Sequence, residues 1–402
     1  MAGHRLKPGW KVWRFDQMAI NVNDRIDNPS EADVEHYVGL EHLDPDSLRI
    51  RRWGVPTDVE ATKLCFRKGD IIFGRRRVYQ RKLAVAEFDG ICSAHAMVLR
   101  PQKDVVLPEF LPFFMQSDLF MSRALEISVG SLSPTINWKT LAAQEFALPP
   151  LEEQRRLATL LQMLETVAES VVSARSRLYD LRHSVEKQTF LIGSTTDEAL
   201  LGTLIQHSAL TLQTGPFGTV LKASSYTDYG HPVVNPSDMS DGKIVLDNCR
   251  FIGDADWERL ERYQVKTNDI FIGRKGDMQN LIYVTPEYDG YLLGSDCIRF
   301  RVHDESMLSQ YFYFYLRAET TRQWLQSQAY GTIMPGINER LLAKMKILLP
   351  NLKKQRAAVD ELESIDETDQ LLQQRLSQTR KLKVVTLSPL NEYQRSVDEL
   401  TQ

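Results

Sequence analysis

The sequence contains an internal duplication. VGSLSPTINWKTLAAQEFALPPLEEQRR, beginning at Val129, aligns with YGTIMPGINERLLAKMKILLPNLKKQRA, beginning at Tyr330, at a constant displacement of 201 residues. Upstream, FRKGDIIFGRRR from Phe66 matches VKTNDIFIGRKG from Val265 at a displacement of 199. A repeat of this length is too long for a solenoid unit. Each copy is therefore predicted to be a domain of its own with an appended element.

The appended element is predicted to be a helix. After Pro149 and Pro150 the apolar residues alternate in steps of three and four, as in a coiled-coil seam: Leu157, Leu160, Leu164, Val167, Val171, Ala174, Leu178, Leu181 and Val185. The second copy has a weaker seam that is interrupted by Asp366 and Asp369: Val359, Leu362, Ile365, Leu372, Leu376 and Leu382. Because a whole domain separates the two helices, they are predicted to pair antiparallel.

The globular parts contain short apolar runs such as DIIFG and DIFIG, bounded by turn residues, and longer segments with helical character. The predicted fold class is therefore α+β, with two tandem mixed α/β domains that are each followed by a long helix. The predicted boundaries are 1–150 for the first domain, 151–192 for the first helix, 193–349 for the second domain, 350–385 for the second helix and 386–402 for a tail.

Composition narrows the possible function. The net charge is −4, yet the segment from Lys63 to Lys82 holds eight basic residues against the single acid Asp70, which makes a local basic patch. The four cysteines have no C-x-x-C spacing, so reduced thiols are expected and a zinc site is not. The sequence has neither a leader pattern nor a run of about 18 apolar residues, so no membrane contact and a cytoplasmic location are expected.

Two duplicated strings point to a known family. LPPLEEQRRLATLL at 148–161 has the copy LPNLKKQRAAVDEL at 349–362, and GSLSPTINW at 130–138 has the copy GTIMPGIN at 331–338. In these strings, and over nearly its full length, the chain resembles the specificity subunits of type I restriction-modification enzymes. The resemblance implies that each globular copy is a target-recognition domain reading one half of a split, asymmetric site on double-stranded DNA. The paired helices would set the spacing between the halves.

The resemblance also implies partners. Two methylation subunits would dock on the helices, and restriction subunits, which are ATP-dependent translocases and nucleases, would join through them. No cofactor is expected on this chain; S-adenosylmethionine, ATP and Mg are expected on the partner subunits. The second copy has Asn351 and Lys353-Lys354 where the first has Pro150 and Glu152-Glu153, so the two docking faces are expected to differ.

Residues that could read DNA lie in loops at predicted strand ends. Arg suits guanine and Asn or Gln suits adenine, while Lys, Ser and backbone amides suit phosphates. The candidates in the first copy are Arg75, Arg76, Arg77, Tyr79, Gln80, Arg81 and Lys82. Those in the second copy are Arg274, Lys275, Gln279 and Asn280, with a further loop of Lys222, Ser224, Ser225 and Tyr226. The alternative is that such a charge run is an ordinary solvated face.

Motifs that would indicate catalysis are missing. Asn235-Pro236-Ser237-Asp238 lacks the second proline and the aromatic residue of an amino-methyltransferase motif, and the sequence has no phosphate-binding G-x-x-x-x-G-K-[ST]. The chain is therefore predicted not to be an enzyme. A coiled-coil scaffold whose domains bind protein or carbohydrate remains the alternative, although it does not explain the matched basic loops.

Overall fold

The protein was analysed as a computed structural model, which describes residues 8–190, 198–274, 280–329 and 337–401. The chain divides into two compact units. The first unit comprises residues 1–172 together with 373–402, and the second comprises residues 173–372. Each unit therefore combines one globular domain with part of both long helices.

The first unit is built around two four-stranded sheets, with strand orders β2-β9-β6-β7 and β3-β5-β8-β4, and a β1-β10 pair. All pairings are antiparallel except that of β4 with β8. Its elements are β1 (Lys11–Arg14), α1 (Phe15–Met18), β2 (Ala19–Val22), β3 (Arg25–Ile26), β4 (Tyr37–Val38), β5 (Lys63–Phe66), β6 (Ile71–Gly74), β7 (Leu83–Val85), β8 (Gly90–Cys92), β9 (Ala96–Pro101), α2 (Leu111–Gln116), α3 (Asp118–Glu126), α4 (Trp138–Ala142), β10 (Glu145–Leu148) and α5 (Leu151–Phe190).

The second unit repeats this plan. Its main sheet, β12-β21-β18-β19, has the strand order of β2-β9-β6-β7, and β11 pairs with β22 as β1 pairs with β10. Its smaller sheet, β13-β17-β14-β20, again ends in a parallel pair, and β15 and β16 form a further hairpin. The elements are β11 (Glu198–Leu200), α6 (Leu201–Gln206), β12 (Leu210–Thr214), β13 (Tyr226–Thr227), β14 (His231–Val234), β15 (Met239–Ser240), β16 (Lys243–Ile244), β17 (Arg250–Ile252), α7 (Asp254–Arg259), β18 (Ile270–Gly273), β19 (Leu281–Tyr283), β20 (Leu292–Leu293), β21 (Cys297–Val302), α8 (Ser309–Arg317), α9 (Glu319–Ala329), α10 (Glu339–Leu342), β22 (Lys346–Leu348) and α11 (Leu352–Thr401).

Aromatic side chains fill the core of each unit. In the first unit Phe114 packs edge-on against Phe146, with ring centroids 5.2 Å apart. In the second unit Phe190 packs in the same way against Tyr311, whose hydroxyl donates to the Leu348 carbonyl at 3.0 Å. The phenol satisfies its own polar atom inside the core, so the ring can be buried without an orphaned hydroxyl.

An ion pair between a buried aspartate and a more exposed arginine recurs at the same place in both units. Asp70, which follows the turn before β6, accepts two hydrogen bonds from Arg100 at 2.8 and 2.9 Å. Asp269, before β18, accepts two from Arg301, both at 2.7 Å. Each aspartate also accepts the backbone N–H three residues earlier, which closes the turn. The Gly-Asp and Asn-Asp that precede the apolar runs are thus part of the duplicated scaffold.

The glutamine of each LP-x-L-x-x-QR string joins its helix to the globular domain. The Gln154 amide accepts the Leu107 N–H at 2.9 Å and donates to the carbonyls of Val105 and Pro149 at 3.1 and 3.0 Å. Gln355 makes the same three hydrogen bonds, at 2.9, 2.8 and 2.7 Å, to the counterpart backbone groups of Leu308, Ser306 and Pro350. Both side chains are buried. The sequence signature of the helix start therefore has a structural role.

The two long helices contact each other antiparallel. In the second unit Arg175 forms a double hydrogen bond with Asp369, at 2.7 and 3.0 Å, and Arg182 pairs with Asp366. The later α5 residue meets the earlier α11 residue, which is the antiparallel order. The two aspartates that interrupt the apolar pattern are therefore ion-pairing positions. Asp366 also bonds Arg317 of α8, so it ties the helix pair to the globular part of its unit.

The predicted seam is only partly correct in its residues. Val171, Val185, Val359 and several others are buried, but Leu160, Leu181 and Leu382 are 46%, 49% and 55% exposed. Leu161, which the spacing did not select, is fully buried against the core of the first domain. The difference arises because α5 packs against its own domain as well as against α11. Residues that face the domain, such as Leu161, are therefore buried in addition to those that face α11.

The second helix continues beyond residue 385, where the sequence analysis placed the start of a tail. It extends to Thr401 with Pro389 inside it. Leu387 and Leu390 are buried in the core of the first unit, and this packing holds the helix past the proline. At its other end Asn351 accepts the Lys354 N–H at 3.1 Å, so the asparagine that replaces a proline here caps the helix.

By length and composition, α5 includes one stretch that is apolar enough to cross a membrane. Two of its acids, however, are in ion pairs within the first unit. Glu165 contacts Lys383 at 2.9 Å, and Glu169 contacts Arg49 at 2.8 Å. Placing these charges in a bilayer would break the pairs at a large cost, which favours a helix packed on its own domain.

Replacing Gln154 with Leu is expected to destabilise the first unit by about 2–4 kcal/mol, because one N–H and two carbonyls lose their partners in a buried site. Urea unfolding followed by circular dichroism would measure the change. Gln162→Leu, at an exposed position of the same helix, is the control and is expected to alter stability by less than about 0.5 kcal/mol. Equal effects of the two substitutions would show that the buried amide does not anchor the helix.

Candidate nucleic-acid interface

The basic loop of the first unit, residues 75–82, begins directly after β6. Backbone hydrogen bonds connect it to the segment SPTIN, residues 133–137. The Ile136 N–H donates to the Arg75 carbonyl at 2.9 Å, and the Arg77 N–H donates to the Pro134 carbonyl at 2.7 Å. In the second unit the Ile337 N–H donates to the Arg274 carbonyl, also at 2.9 Å. The duplicated Ile-Asn motif therefore supports the loop after the strand in both units.

Two non-glycine residues with positive φ shape this loop. Arg77, at φ 56°, and Arg81, at φ 51°, flank a short turn formed by Val78–Gln80. Val78 is buried in the domain core, whereas the Tyr79 side chain is 55% exposed. Left-handed conformations cost free energy for residues with a Cβ. With these two conformations the turn buries Val78 in the core and leaves Tyr79 exposed to solvent.

The predicted contact residues of this loop have different environments. Arg81 donates to Asp46 at 2.6 Å, to Asp118 at 3.1 Å and to the Gln116 carbonyl at 2.5 Å. Lys82 donates to the Leu40 carbonyl at 2.6 Å. These two cations are bound within the domain. In the rest of the predicted set Arg77 and Tyr79 are exposed, whereas Arg75, Arg76 and Gln80 are half-buried.

The basic run does not form one continuous surface. Lys63 is buried, and its ammonium donates to the carbonyls of Glu60 and Ala61. Arg67 and Lys68 are exposed at the turn before β6, whereas the arginine triplet follows that strand. The basic residues that are clustered in the sequence are thus divided between the two ends of β6.

A second basic segment of the first unit contains Trp53 and the arginines at positions 49, 51 and 52. Arg51 and Arg52 pair with Asp44, and Arg49 pairs with Glu169 of α5. Trp53 packs edge-on against His36. Burial raises the pKa of Glu169, and the nearby arginines oppose that rise. Arg51 also contacts Glu169, at 3.2 Å, so Arg49 and Arg51 connect the first domain to α5.

In the second unit Arg274 occupies the position of Arg75. Its N–H donates to the Asp296 carbonyl at 2.7 Å, and its guanidinium lies 5.8 Å from the centre of the Phe217 ring. The Asn280 carbonyl accepts the Gly273 N–H at 3.4 Å, so Asn280 lies beside the end of β18. Lys275 and Gln279 lie outside the described residues.

The other predicted loop of this unit is a short turn at Ala223–Ser225. Lys222 and Ser224 are exposed there. Ser225 bonds the Asp256 side chain and helps to lower the pKa of that carboxyl, after the larger effect of Arg259. Tyr226 lies under the Arg250 guanidinium at 5.1 Å, and burial raises the pKa of the phenol. Lys222 and Ser224 thus remain the accessible members of this set.

A histidine that was not among the predicted contact residues lies beside the basic loop. His95, in the turn between β8 and β9, lies 3.4 Å from Arg76, measured from Nε2 to Nη1. Its pKa is below the ordinary histidine value, first because of burial and then because of the charges of Arg76 and Arg75. A lone histidine carries little signal in a sequence. Only its alignment with Asp296, 201 residues later, marks the turn as a place where the copies differ.

No group of three or more His, Cys, Asp or Glu side chains that could hold a metal ion occurs in the part of the chain that the structure describes. The four cysteines are free thiols. Burial raises the pKa of the Cys92 and Cys297 thiols, and it raises that of Cys249 to about 11. They are therefore protonated, unreactive core residues at neutral pH.

Comparison with known proteins identifies the family. The model of the type I restriction modification DNA specificity domain matches residues 59–170 and 217–380, one match in each globular copy, and together the two matches cover more than half of the chain. The chain belongs to the type I restriction-modification DNA specificity family. Specificity subunits are the non-catalytic, DNA-recognising components of these enzymes, which agrees with the missing catalytic motifs.

Curated relatives carry the same description. The specificity subunit of the type I restriction enzyme EcoDI from Escherichia coli is 29% identical over 45% of this chain and 41% of its own length. The MjaVIII specificity subunit from Methanocaldococcus jannaschii is 22% identical over 73% of this chain and 72% of its own. That of EcoKI from Escherichia coli K12 is 21% identical over 69% and 62%. The matched part is thus less than half of the EcoDI subunit.

Two solved structures share the fold. The S subunit of a type I system from M. genitalium superposes with a TM-score of 0.61 at 15% identity, covering 96% of this chain and 97% of that one. A chain from a study of type I assembly superposes with a TM-score of 0.56 at 18% identity, covering 96% and 98%. The predicted fold class, with two tandem α/β domains each followed by a long helix, is confirmed.

The His95 imidazole is expected to titrate below about 6.5, the ordinary histidine value, because burial disfavours the charged ring and because protonation would place a third cation beside two arginines. Arg76→Gln is expected to raise the midpoint, since it removes one of those charges. Lys103→Gln, which removes an exposed charge elsewhere in the domain, should leave the midpoint unchanged. NMR of histidine-labelled protein would give all three values. A parent midpoint at or above 6.5 would contradict the assignment of this contact.

Proposed function

We propose that this chain binds double-stranded DNA and that each unit reads one half of a split, asymmetric site. One observation carries the proposal. Arg75 and Arg274 follow equivalent strands and are held by the same backbone hydrogen bond, yet the residues after them differ between the copies. A shared scaffold with divergent loops is the expected design for two domains that recognise different sequences.

In the first unit we assign DNA contact to Arg77 and Tyr79, which are exposed, and to Arg76 and Gln80, which are half-buried. In the second unit the assignment rests on Arg274, Lys222 and Ser224. Arg81, Lys82 and Tyr226 remain candidates, although their polar or ring contacts are already made within the protein. Arginine can bind a guanine edge or a phosphate, and the exposed lysine and serine suit phosphates.

The paired helices are proposed to set the distance between the half-sites and to dock two methylation subunits. The helices carry exposed apolar side chains. Those in the first unit are Leu151, Leu160, Met163, Val172, Leu382, Val384 and Val385. Those in the second unit are Tyr179, Leu181 and Leu371. Exposed apolar groups concentrated on one type of element are typical of a protein interface.

The proposed complex places the chemistry on its partners and operates on DNA in the cytoplasm. The methylation subunits would bind S-adenosylmethionine, and restriction subunits using ATP and Mg would join through them. The alternative of a scaffold that binds protein or carbohydrate predicts no salt-dependent affinity for DNA. Phosphate contacts make DNA affinity fall steeply as salt rises.

The contribution of Arg77 can be tested with Arg77→Gly, since glycine tolerates the positive φ at this position. If Arg77 contacts a phosphate, the variant should bind all duplexes more weakly, and the slope of log affinity against log salt should fall by about 1. If Arg77 contacts a base, the variant should lose about 1–3 kcal/mol of discrimination between bases at one position of the site. Fluorescence anisotropy over a salt series distinguishes these cases, and binding equal to that of the parent would refute the assignment.

Docking can be tested with Met163→Glu, because a charge at this 60% exposed site would have to be desolvated in the interface. Co-purification with the methylation subunit encoded in the same host should drop at least tenfold, while the thermal stability of the free chain is retained. The adjacent exposed Gln162→Glu adds the same charge beside it and should co-purify as the parent does. If both variants co-purify with the methylation subunit as the parent does, the partner docks elsewhere.

A further inference from the structure

A cleft of about 340 Å³ separates the basic loop of the first domain from two other segments of the same unit. The basic loop supplies Arg76, Arg77, Gln80 and Lys82 to its lining, and the Lys82 ammonium donates to the Leu40 carbonyl at 2.6 Å. The turn between β8 and β9 supplies Ser93 and His95, and the segment after β4 supplies Glu41. Cationic, neutral and anionic side chains thus face one space.

Backbone hydrogen bonds hold the walls of this cleft. The Ser93 N–H donates to the Val38 carbonyl at 3.1 Å, and the His95 N–H donates to Ser93 Oγ at 3.2 Å, which fixes the turn. On the other wall the Gly39 N–H donates to His42 Nδ1 at 3.0 Å. A Cβ at Gly39 would collide with the Glu41 carboxylate, so glycine allows Glu41 to fold back over the backbone.

His95 orients Arg76. A guanidinium can only donate hydrogen bonds, so the His95 Nε2 that faces Arg76 at 3.4 Å must be the acceptor, and the ring proton lies on Nδ1. The neutral imidazole therefore restrains the arginine inside the cleft. His95 is a positioning residue for Arg76.

The lining matches one base pair better than it matches a phosphate. In the major groove guanine presents the acceptors O6 and N7, which suit arginine, and its cytosine partner presents the N4 amino donor, which suits a carboxylate. A phosphate offers only acceptors, so it would satisfy the arginines but leave the Glu41 carboxylate without a donor. Donors from Arg76 and Arg77 next to the single carboxylate of Glu41 are therefore the complement of a G·C pair.

We propose that this cleft reads one G·C base pair of the first half-site, with Arg76 and Arg77 on the guanine and Glu41 on the cytosine. The inference rests on the proposed function of the chain. The second domain diverges at the same place, where Gly294-Ser295-Asp296 replaces Ser93-Ala94-His95. The turn therefore changes together with the basic loop, as a second recognition element would.

The test uses the full chain assembled with its methylation subunits and a duplex DNA library in which each half-site position is varied in turn. Arg76→Gln and Glu41→Ala should both lower discrimination at the same G·C position, by about 5- to 150-fold, and leave the other positions unchanged. Lys103→Gln is the matched control for loss of an exposed charge and should keep every preference. Glu41 is exposed, so its truncation provides a variant with little folding risk.

The role of His95 has its own test. His95→Gln keeps a hydrogen-bond acceptor and should preserve discrimination at the G·C position. His95→Leu removes the acceptor and should lower discrimination at that position, with the preferences at the other positions unchanged. Relaxation by both variants, or by neither, would remove the positioning role from the proposal.

Two results would overturn the cleft assignment. If Arg76→Gln weakens and Glu41→Ala strengthens binding to all sequences alike, the cleft holds a phosphate. If the parent selects its site and the two variants alter different positions or none, the cleft does not read one base pair, while the proposed function stands. A parent with no sequence preference would overturn the proposed function, and this inference with it.

Discussion

A single buried glutamine amide in each unit joins the globular domain to its helix. The amide of Gln154 or Gln355 accepts one backbone N–H and donates to two carbonyls from separate parts of the chain. Glutamate could not donate, and an apolar residue would leave three buried polar groups without partners. This requirement explains why glutamine follows the Leu-Pro string in both copies. It also fixes where each helix starts on its own domain, which the proposed spacing role needs.

In the second unit the helix contact combines buried apolar residues with ion pairs that favour one register. Asp366 binds both Arg182 and Arg317, and Asp369 binds Arg175 in a planar double hydrogen bond. Partly buried ion pairs add little net stability, but a shift of register would leave their charges unpaired. The aspartates that weaken the heptad pattern therefore select one alignment of α5 on α11. Other apolar side chains of the helices remain exposed.

The architecture could be predicted from the sequence because the duplication presents the same pattern in two copies. The strand before Arg75 and the strand before Arg274 follow from the same pattern, and both are present. Periodicity alone could not decide between Leu160 and Leu161, since α5 packs against two surfaces. Nor could a linear pattern show that Arg81 meets Asp46 and Asp118, which lie more than thirty residues away on either side. Glu41 and His95 were missed because only folding brings them to the basic loop.

The central claim is that two similar domains in one chain read two separate half-sites, and methylome sequencing tests it most directly. Cells that express this chain with its methylation subunits should carry a methylated motif of two defined parts separated by a fixed number of unspecified base pairs. Replacing residues 200–350 with the corresponding domain of a relative should then change one part and keep the other. A continuous motif, or a change in both parts after the exchange, would contradict the account.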